Sequence, residues 1–448
     1  MEIDSGASPL IVAIVTTIAL AIITTIRAGS ARITMALMIF LASLAPAYTD
    51  EGFPIRTWLF PLQEHRSEMY LTLAMGLLFG LLPHLRSVSF RLAGPQAILL
   101  LLIGLYQGAL RMHHEDVSTG LATMGFSLST VGGVALALPA LLDRPRSWFL
   151  VLEAILGANI LWIGAVIVQA RVDPQQLLLN GRFTGVTSNP QSAAIVLSLG
   201  SALALWMAMH DPRRWHRGAW LILFSVDLIL LVWTGSRTGT LAFLLGATTI
   251  LRRRLGTKVL WIGTGLVLTY LLSGWFADRG LEDAAARLAS VHDSGRTDAL
   301  ARMIATGTAH PFFGDGIIDA GASENSYLLA FAVFGIGMVF LVTLLVGASL
   351  RECVRVARGT RGYRGCASVG DLIIAFNLMY FTIAMFEGII LARVREVLVW
   401  MIVFSALSAT VKRASLVGRG AVRNGEGEGS RRWRRMREAS HRRPVSGL

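Results

Sequence analysis

The sequence predicts an all-α polytopic membrane protein: thirteen candidate transmembrane helices and one large, partly helical outer loop. Three observations carry this. Hydrophobic residues make up 54% of the 448 residues and charged residues only 15%, whereas a soluble chain is roughly a quarter charged. Apolar runs of membrane-spanning length, about 17–25 residues, follow one another along the chain. The basic residues alternate between successive connections in the manner of a multi-pass protein. The two cysteines, Cys353 and Cys366, exclude a disulfide framework or a Cys-rich metal site.

The candidate spans are 10–26, 33–48, 67–83, 92–110, 121–142, 148–170, 190–208, 219–235, 238–251, 258–276, 326–350, 372–392 and 395–411. The first is read as a membrane span and not a cleavable leader, because Met1–Pro9 carries Glu2 and Asp4 and no basic residue. The third is weak. The ninth is short and begins inside the membrane boundary. With this division one set of connections holds 29 Lys and Arg residues and the alternate set 11, and Arg395 lies at a helix boundary. The expected orientation is N-terminus outside and C-terminus cytoplasmic. Residues 1–411 form the transmembrane domain. The tail, 412–448, is Arg-rich with few large apolar residues and is expected to be disordered, with an affinity for anionic lipid.

The longest connection between spans is the outer loop 277–325. Leu281, Ala284, Ala285, Leu288 and Ala289 recur at helical spacing, as do Leu300, Met303 and Ile304 after Gly295. Two short helices are expected there, followed by a turn at His310–Gly316. A long ordered loop among short connections is usually functional.

No Walker loop, HExxH, Rossmann glycine pattern or GxSxG is present. His113 and His114 precede Glu115 and Asp116, a pattern that fits a solvated loop better than a metal site. Glu153, Asp227 and Glu387 fall inside predicted spans, where carboxylates are costly and mark either interior pairing or function. Glu387 is placed to pair with Arg393 or Arg395. Three arginines fall on the predicted outer side in short polar settings: Arg182 in Gly181–Gly185, before Asn189-Pro190; Arg237 in Thr234–Gly239; and Arg296 after Ser294-Gly295. An arginine at a helix start, near free backbone N–H groups, suits a phosphate. Three converging on one mouth would suit a pyrophosphate.

These pieces, together with His310-Pro311-Phe312-Phe313-Gly314-Asp315-Gly316, Glu324-Asn325-Ser326-Tyr327-Leu328 and Gly335-Ile336-Gly337, occur in an order that resembles the O-antigen ligase and O-antigen polymerase superfamily. The resemblance covers roughly residues 180–345. It implies a metal-independent, inverting membrane glycosyltransferase of the bacterial inner membrane that needs no cofactor. It also implies a glycan donor on undecaprenyl pyrophosphate at the periplasmic face, a glycan or lipid acceptor, and no nucleic-acid partner. Ligases of the family carry His where this chain has Glu324, and Glu there is more like the polysaccharide polymerases. Carried over, the resemblance gives catalytic roles to Glu324, Arg237 and Arg296. It gives substrate contacts to Arg182, Asn189, His310, Asn325 and Tyr327. Polymerisation of a surface polysaccharide or O-antigen is the expected activity. Transfer to lipid A–core is the alternative within the family. A lipid-linked oligosaccharide transporter is the alternative outside it, although no inverted repeat or matched pair of broken helices is visible.

Overall fold

The computed structural model describes residues 32, 35–36, 39–40, 43, 94–142, 145–179, 181–187, 189–256, 296–316, 325–359, 364–387, 389 and 396–423. The predicted spans 10–26, 67–83 and 258–276, the helix expected over 281–289, Arg393 and Arg395 lie outside them. Among the described residues the regular structure is helical apart from one hairpin of two short strands. The helices are α1 (Pro95–His114), α2 (Val117–Ser127), α3 (Gly133–Leu141), α4 (Pro145–Val172), α5 (Pro190–His210), α6 (Arg214–Trp233) and α7 (Arg237–Leu255), then α8 (Arg296–Ala309), α9 (Ser326–Gly359), α10 (Arg364–Phe386) and α11 (Glu396–Arg423). Six of them, α1, α4, α5, α6, α9 and α10, are long and apolar enough to cross a membrane. The protein is thus an all-α, multi-pass membrane protein.

Helix α5 is apolar on every side, and 83% of its most apolar stretch is buried, as suits a helix at the centre of a bundle. It packs against α6, α7, α4 and α10. Helix α6 is the opposite case: Leu221, Ile222, Ile229 and Val232 stand exposed, the signature of a helix that faces lipid. Side-chain contacts fix the ends of the bundle. Trp206 near the end of α5 donates from Nε1 to the Ser368 carbonyl near the start of α10 at 2.9 Å. Arg252 and Arg253 at the end of α7 both pair with Asp371. Hence the starts of α5 and α7 lie at the same end of the bundle as the close of α10. Helices α5, α6 and α7 thus alternate in direction.

The structure corrects several boundaries. The predicted span 121–142 is α2 and α3 joined by a π-helical turn, Leu128–Gly132. The span 372–392 closes at Phe386, so Glu387 sits just past the helix and not inside it; its backbone N–H still reaches the Ile383 carbonyl at 2.8 Å. His113 and His114 close α1 instead of lying in a loop. Helix α11 continues past 412 to Arg423, where Ala414, Leu416 and Ala421 favour helix beyond the apolar span.

One break decides how the loop region is built. Helix α9 is interrupted at Gly335, whose φ is 73°. The segment after α8 fills the gap. The N–H groups of Asp315 and Gly316 donate to the carbonyls of Ala332 and Val333 at 2.9 and 3.1 Å, and the Ile336 N–H donates to the Pro311 carbonyl at 2.8 Å. Three of the backbone groups at the break are thereby paired, as buried backbone polar groups require. A Cβ on Gly335 would collide with the Phe312 carbonyl, and one on Gly314 with the backbone of Val333. Both positions have positive φ, which glycine alone adopts without strain.

Candidate active site

The candidate site lies at the end of the bundle where α5, α7 and α9 begin. A β-hairpin, Leu178–Leu179 with Arg182–Phe183, turns the chain back from α4 toward α5. Phe183 is buried, stacks on Trp233 with ring centroids 5.3 Å apart, and meets Trp162 edge-on. This anchors the hairpin on α6 and α4. Beside Phe183, the half-buried Arg182 donates from Nε to the Thr234 carbonyl at 2.8 Å. Thr234–Ser236 is the turn that ends in Arg237.

That turn is tightly held. Thr234 and Ser236 are buried, and the Ser236 hydroxyl accepts from the Gly239 N–H at 3.3 Å as the N-cap of α7. Arg237 follows as the first residue of α7 and is exposed. Two arginines 55 positions apart thus flank a single turn. At Asn189 the carboxamide Oδ1 accepts from the Gln191 N–H at 2.8 Å, capping α5 just before Pro190.

Asn325 performs a similar task on α9. Its Oδ1 accepts from the N–H groups of Tyr327 and Leu328 at 2.9 and 3.0 Å, and its Nδ2 donates to the Met385 carbonyl at 2.7 Å. The Ser326 hydroxyl donates to the Glu387 carbonyl at 2.6 Å. The start of α9 is therefore tied to the close of α10, and Tyr327 sits half-buried in its first turn. His310 is exposed, with Nε2 4.0 Å from an Asp315 carboxylate oxygen. His114 meets the Phe313 carbonyl at 3.1 Å, which places α1, the turn after α8 and the start of α9 at this same end. Arg296 opens α8; its side chain, and Glu324 as a whole, lie outside the described residues.

The structure thus brings Arg182, Arg237, Asn189, Asn325, Tyr327 and His310 to one end. It also gives Asn189 and Asn325 capping duties. The turn at His310–Gly316 was expected from the sequence, but its pairing with the broken α9 was not, although Gly314, Gly316 and Gly335 carried a signal of it.

The buried carboxylates have interior partners. Asp227 accepts from Asn159 Nδ2 at 2.6 Å across α4 and α6, against Gly200 of α5. Glu153 pairs with Arg213, which also binds Asp211. Glu153, Asp211 and His216 present ligand atoms within 4.8 Å of one another. Arg213 already pairs with both carboxylates, so this cluster reads as an ion-pair network at the opposite end from the site. Burial works against ionisation of Asp211, but the Arg213 guanidinium, the Trp220 indole and the Arg213 N–H outweigh it and hold the carboxyl below its ordinary range. Among the described residues no other group of three metal-ligating side chains forms.

No protein-family model matches the chain, and no curated protein matches it. The resemblance to O-antigen ligases and polymerases therefore stands on the motifs themselves.

Proposed function

We propose that the protein is an inverting glycosyltransferase of the bacterial inner membrane. It takes a glycan from undecaprenyl pyrophosphate at the outer face and adds it to a growing surface polysaccharide. The observation that carries this reading is the placement of Arg182 and Arg237 on either side of the Thr234–Ser236 turn. Breaking the donor C1–O bond releases a pyrophosphate, and negative charge grows on the leaving group. A guanidinium already fixed by a backbone contact, as in Arg182, stabilises that charge more in the transition state than in the ground state, without reorganisation. Arg237, at a helix N-terminus, adds the favourable end of the helix dipole. Arg296 at the start of α8 serves as the third contact.

The acceptor hydroxyl attacks from the opposite face of the sugar. Glu324 orients it and takes its proton, next to the Asn325 cap. Direct attack inverts the anomeric centre. The lipid tail lies along the bundle with its phosphates at the site end. That end is taken as the outer one because the arginine-rich connections before α6 and after α7 gather at the other.

The test is reconstitution of the full chain in nanodiscs with a lipid-linked repeat unit. A ladder of lengthened glycan on the lipid supports polymerisation. Transfer to an added lipid acceptor with no ladder makes the protein a ligase. Translocation of the lipid-linked glycan with no new glycosidic bond overturns the proposal in favour of a transporter.

A further inference from the structure

The arginines at the end opposite the site have a use that glycosyl transfer does not supply. Six of them, Arg213, Arg214, Arg217, Arg252, Arg253 and Arg254, gather where α5 and α7 close and α6 begins. The carboxylates there are already committed: Glu153 and Asp211 to Arg213, and Asp371 to Arg252 and Arg253. Arg214, Arg217 and Arg254 have no carboxylate partner among the described residues and are exposed.

Two of these three are held in place. Arg217 donates from Nε to the Asp211 carbonyl at 2.7 Å, and Arg254 from Nη2 to the Met209 carbonyl at 3.1 Å. The two guanidinium groups bracket the last turn of α5. Among the described residues each spends one donor of five on a carbonyl and keeps the rest. A fixed, uncompensated guanidinium pair is suited to the oxygens of a phosphate.

The neighbouring surface indicates what the phosphate is attached to. Trp215, in the first turn of α6, is 81% exposed, the setting of an interfacial aromatic anchor. Beyond it, Leu221, Ile222 and Ile229 continue the exposed apolar surface of α6 along the membrane-spanning direction. Charge at the interface followed by an apolar strip matches a headgroup followed by acyl chains. We infer that this end of the bundle binds an anionic phospholipid, its phosphate between Arg214, Arg217 and Arg254 and its chains along α6.

The test uses the full chain, purified in detergent, with native mass spectrometry. Dioleoylphosphatidylglycerol and dioleoylphosphatidylcholine are offered separately, and inorganic phosphate is offered as a competitor. Phosphatidylglycerol should be retained at least tenfold better than phosphatidylcholine, and millimolar inorganic phosphate should not displace it. Each Arg→Gln change should weaken retention about fivefold, the equivalent of about 1 kcal/mol per arginine near an anionic surface, so R214Q/R217Q/R254Q together should lose about a hundredfold. Arg214 has no hydrogen bond or ion pair among the described residues, so R214Q alone reads the effect without disturbing a helix end. Equal retention of the two lipids, unchanged retention by R214Q and the triple variant, or displacement by inorganic phosphate would each overturn the inference. The first two would mean no headgroup site, and the last a site for free anions.

Discussion

Arg182 Nε donates to the carbonyl of Thr234 at 2.8 Å, and three residues on from Thr234 the chain presents Arg237. The Arg182 side chain thus holds the turn that leads into α7. Replacing Arg237 by Ala should lower transfer by about 10²–10³-fold, the usual cost of one preorganised charge-stabilising donor. Lys should rescue it only in part, since it lacks the planar fork. Arg182→Ala should also impair transfer, and it should lower the thermal midpoint because the turn loses its contact. Normal polymer length in cells carrying Arg237→Ala would refute the assignment.

Glu324 is tested by three replacements at matched membrane levels. Gln nearly keeps the shape and removes the proton acceptor, so turnover should fall by about 10²–10⁴-fold with donor affinity retained. Ala should have almost no activity. His, with a reference pKa of about 6.5, should keep measurable transfer. Asn325 already caps α9, so Gln and Ala variants that stay as active as wild type would leave Glu324 no role in the chemistry.

Gly335 tests the splice. Ala there must adopt a φ of 73° and push its Cβ into the Phe312 carbonyl. The backbone strain alone costs about 1–3 kcal/mol. We expect Gly335→Ala to lower the thermal midpoint in detergent and to abolish transfer, with Gly314→Ala alike. Gly347→Ala, where an added methyl meets nothing within 4 Å, is the matched control on the same helix. Equal midpoints for the 335 and 347 variants would show the splice to be energetically idle.

Asp211 gives the pH dependence. Its carboxyl is held below its ordinary range, so its contribution to stability is full above the unfolded value of about 3.9. That contribution is lost as pH falls toward the lower folded value. Asp211→Asn should cost about 1–3 kcal/mol at neutral pH by leaving Arg213 and Trp220 with poorer partners. The difference between wild type and variant should shrink below about pH 4. A gap that stays constant down to pH 3 would contradict the ion-pair role.

Much of this architecture is legible in the residues, because burial in lipid writes long apolar runs and their ends carry local signals. Asn189-Pro190 announces the start of α5, and Ser236 before Arg237 announces that of α7. The helix after Gly295 and the turn at His310–Gly316 were also readable from periodicity and glycine content. Other features depend on partners far apart in sequence. Glu153 meets Arg213 across 60 positions, Asp227 meets Asn159 across 68, and Arg252 meets Asp371 across 119. Nothing local in any of these residues names the other. The break at Gly335 is of the same kind, since an uninterrupted apolar run conceals a helix whose backbone bonds are completed from outside.

That break has a mechanical consequence. In the leading part of α9, from Ser326 to Phe334, the carbonyls of Ala332 and Val333 accept from the N–H groups of Asp315 and Gly316. Helix α8, the turn and this first stretch therefore behave as a single cassette clipped onto the bundle. One glycine joins it to the remainder of α9, and Asn325 and Ser326 tie it to the end of α10. Tilting that cassette would carry Arg296 and Tyr327 together toward or away from the Arg182–Arg237 pair while the spanning helices stay still.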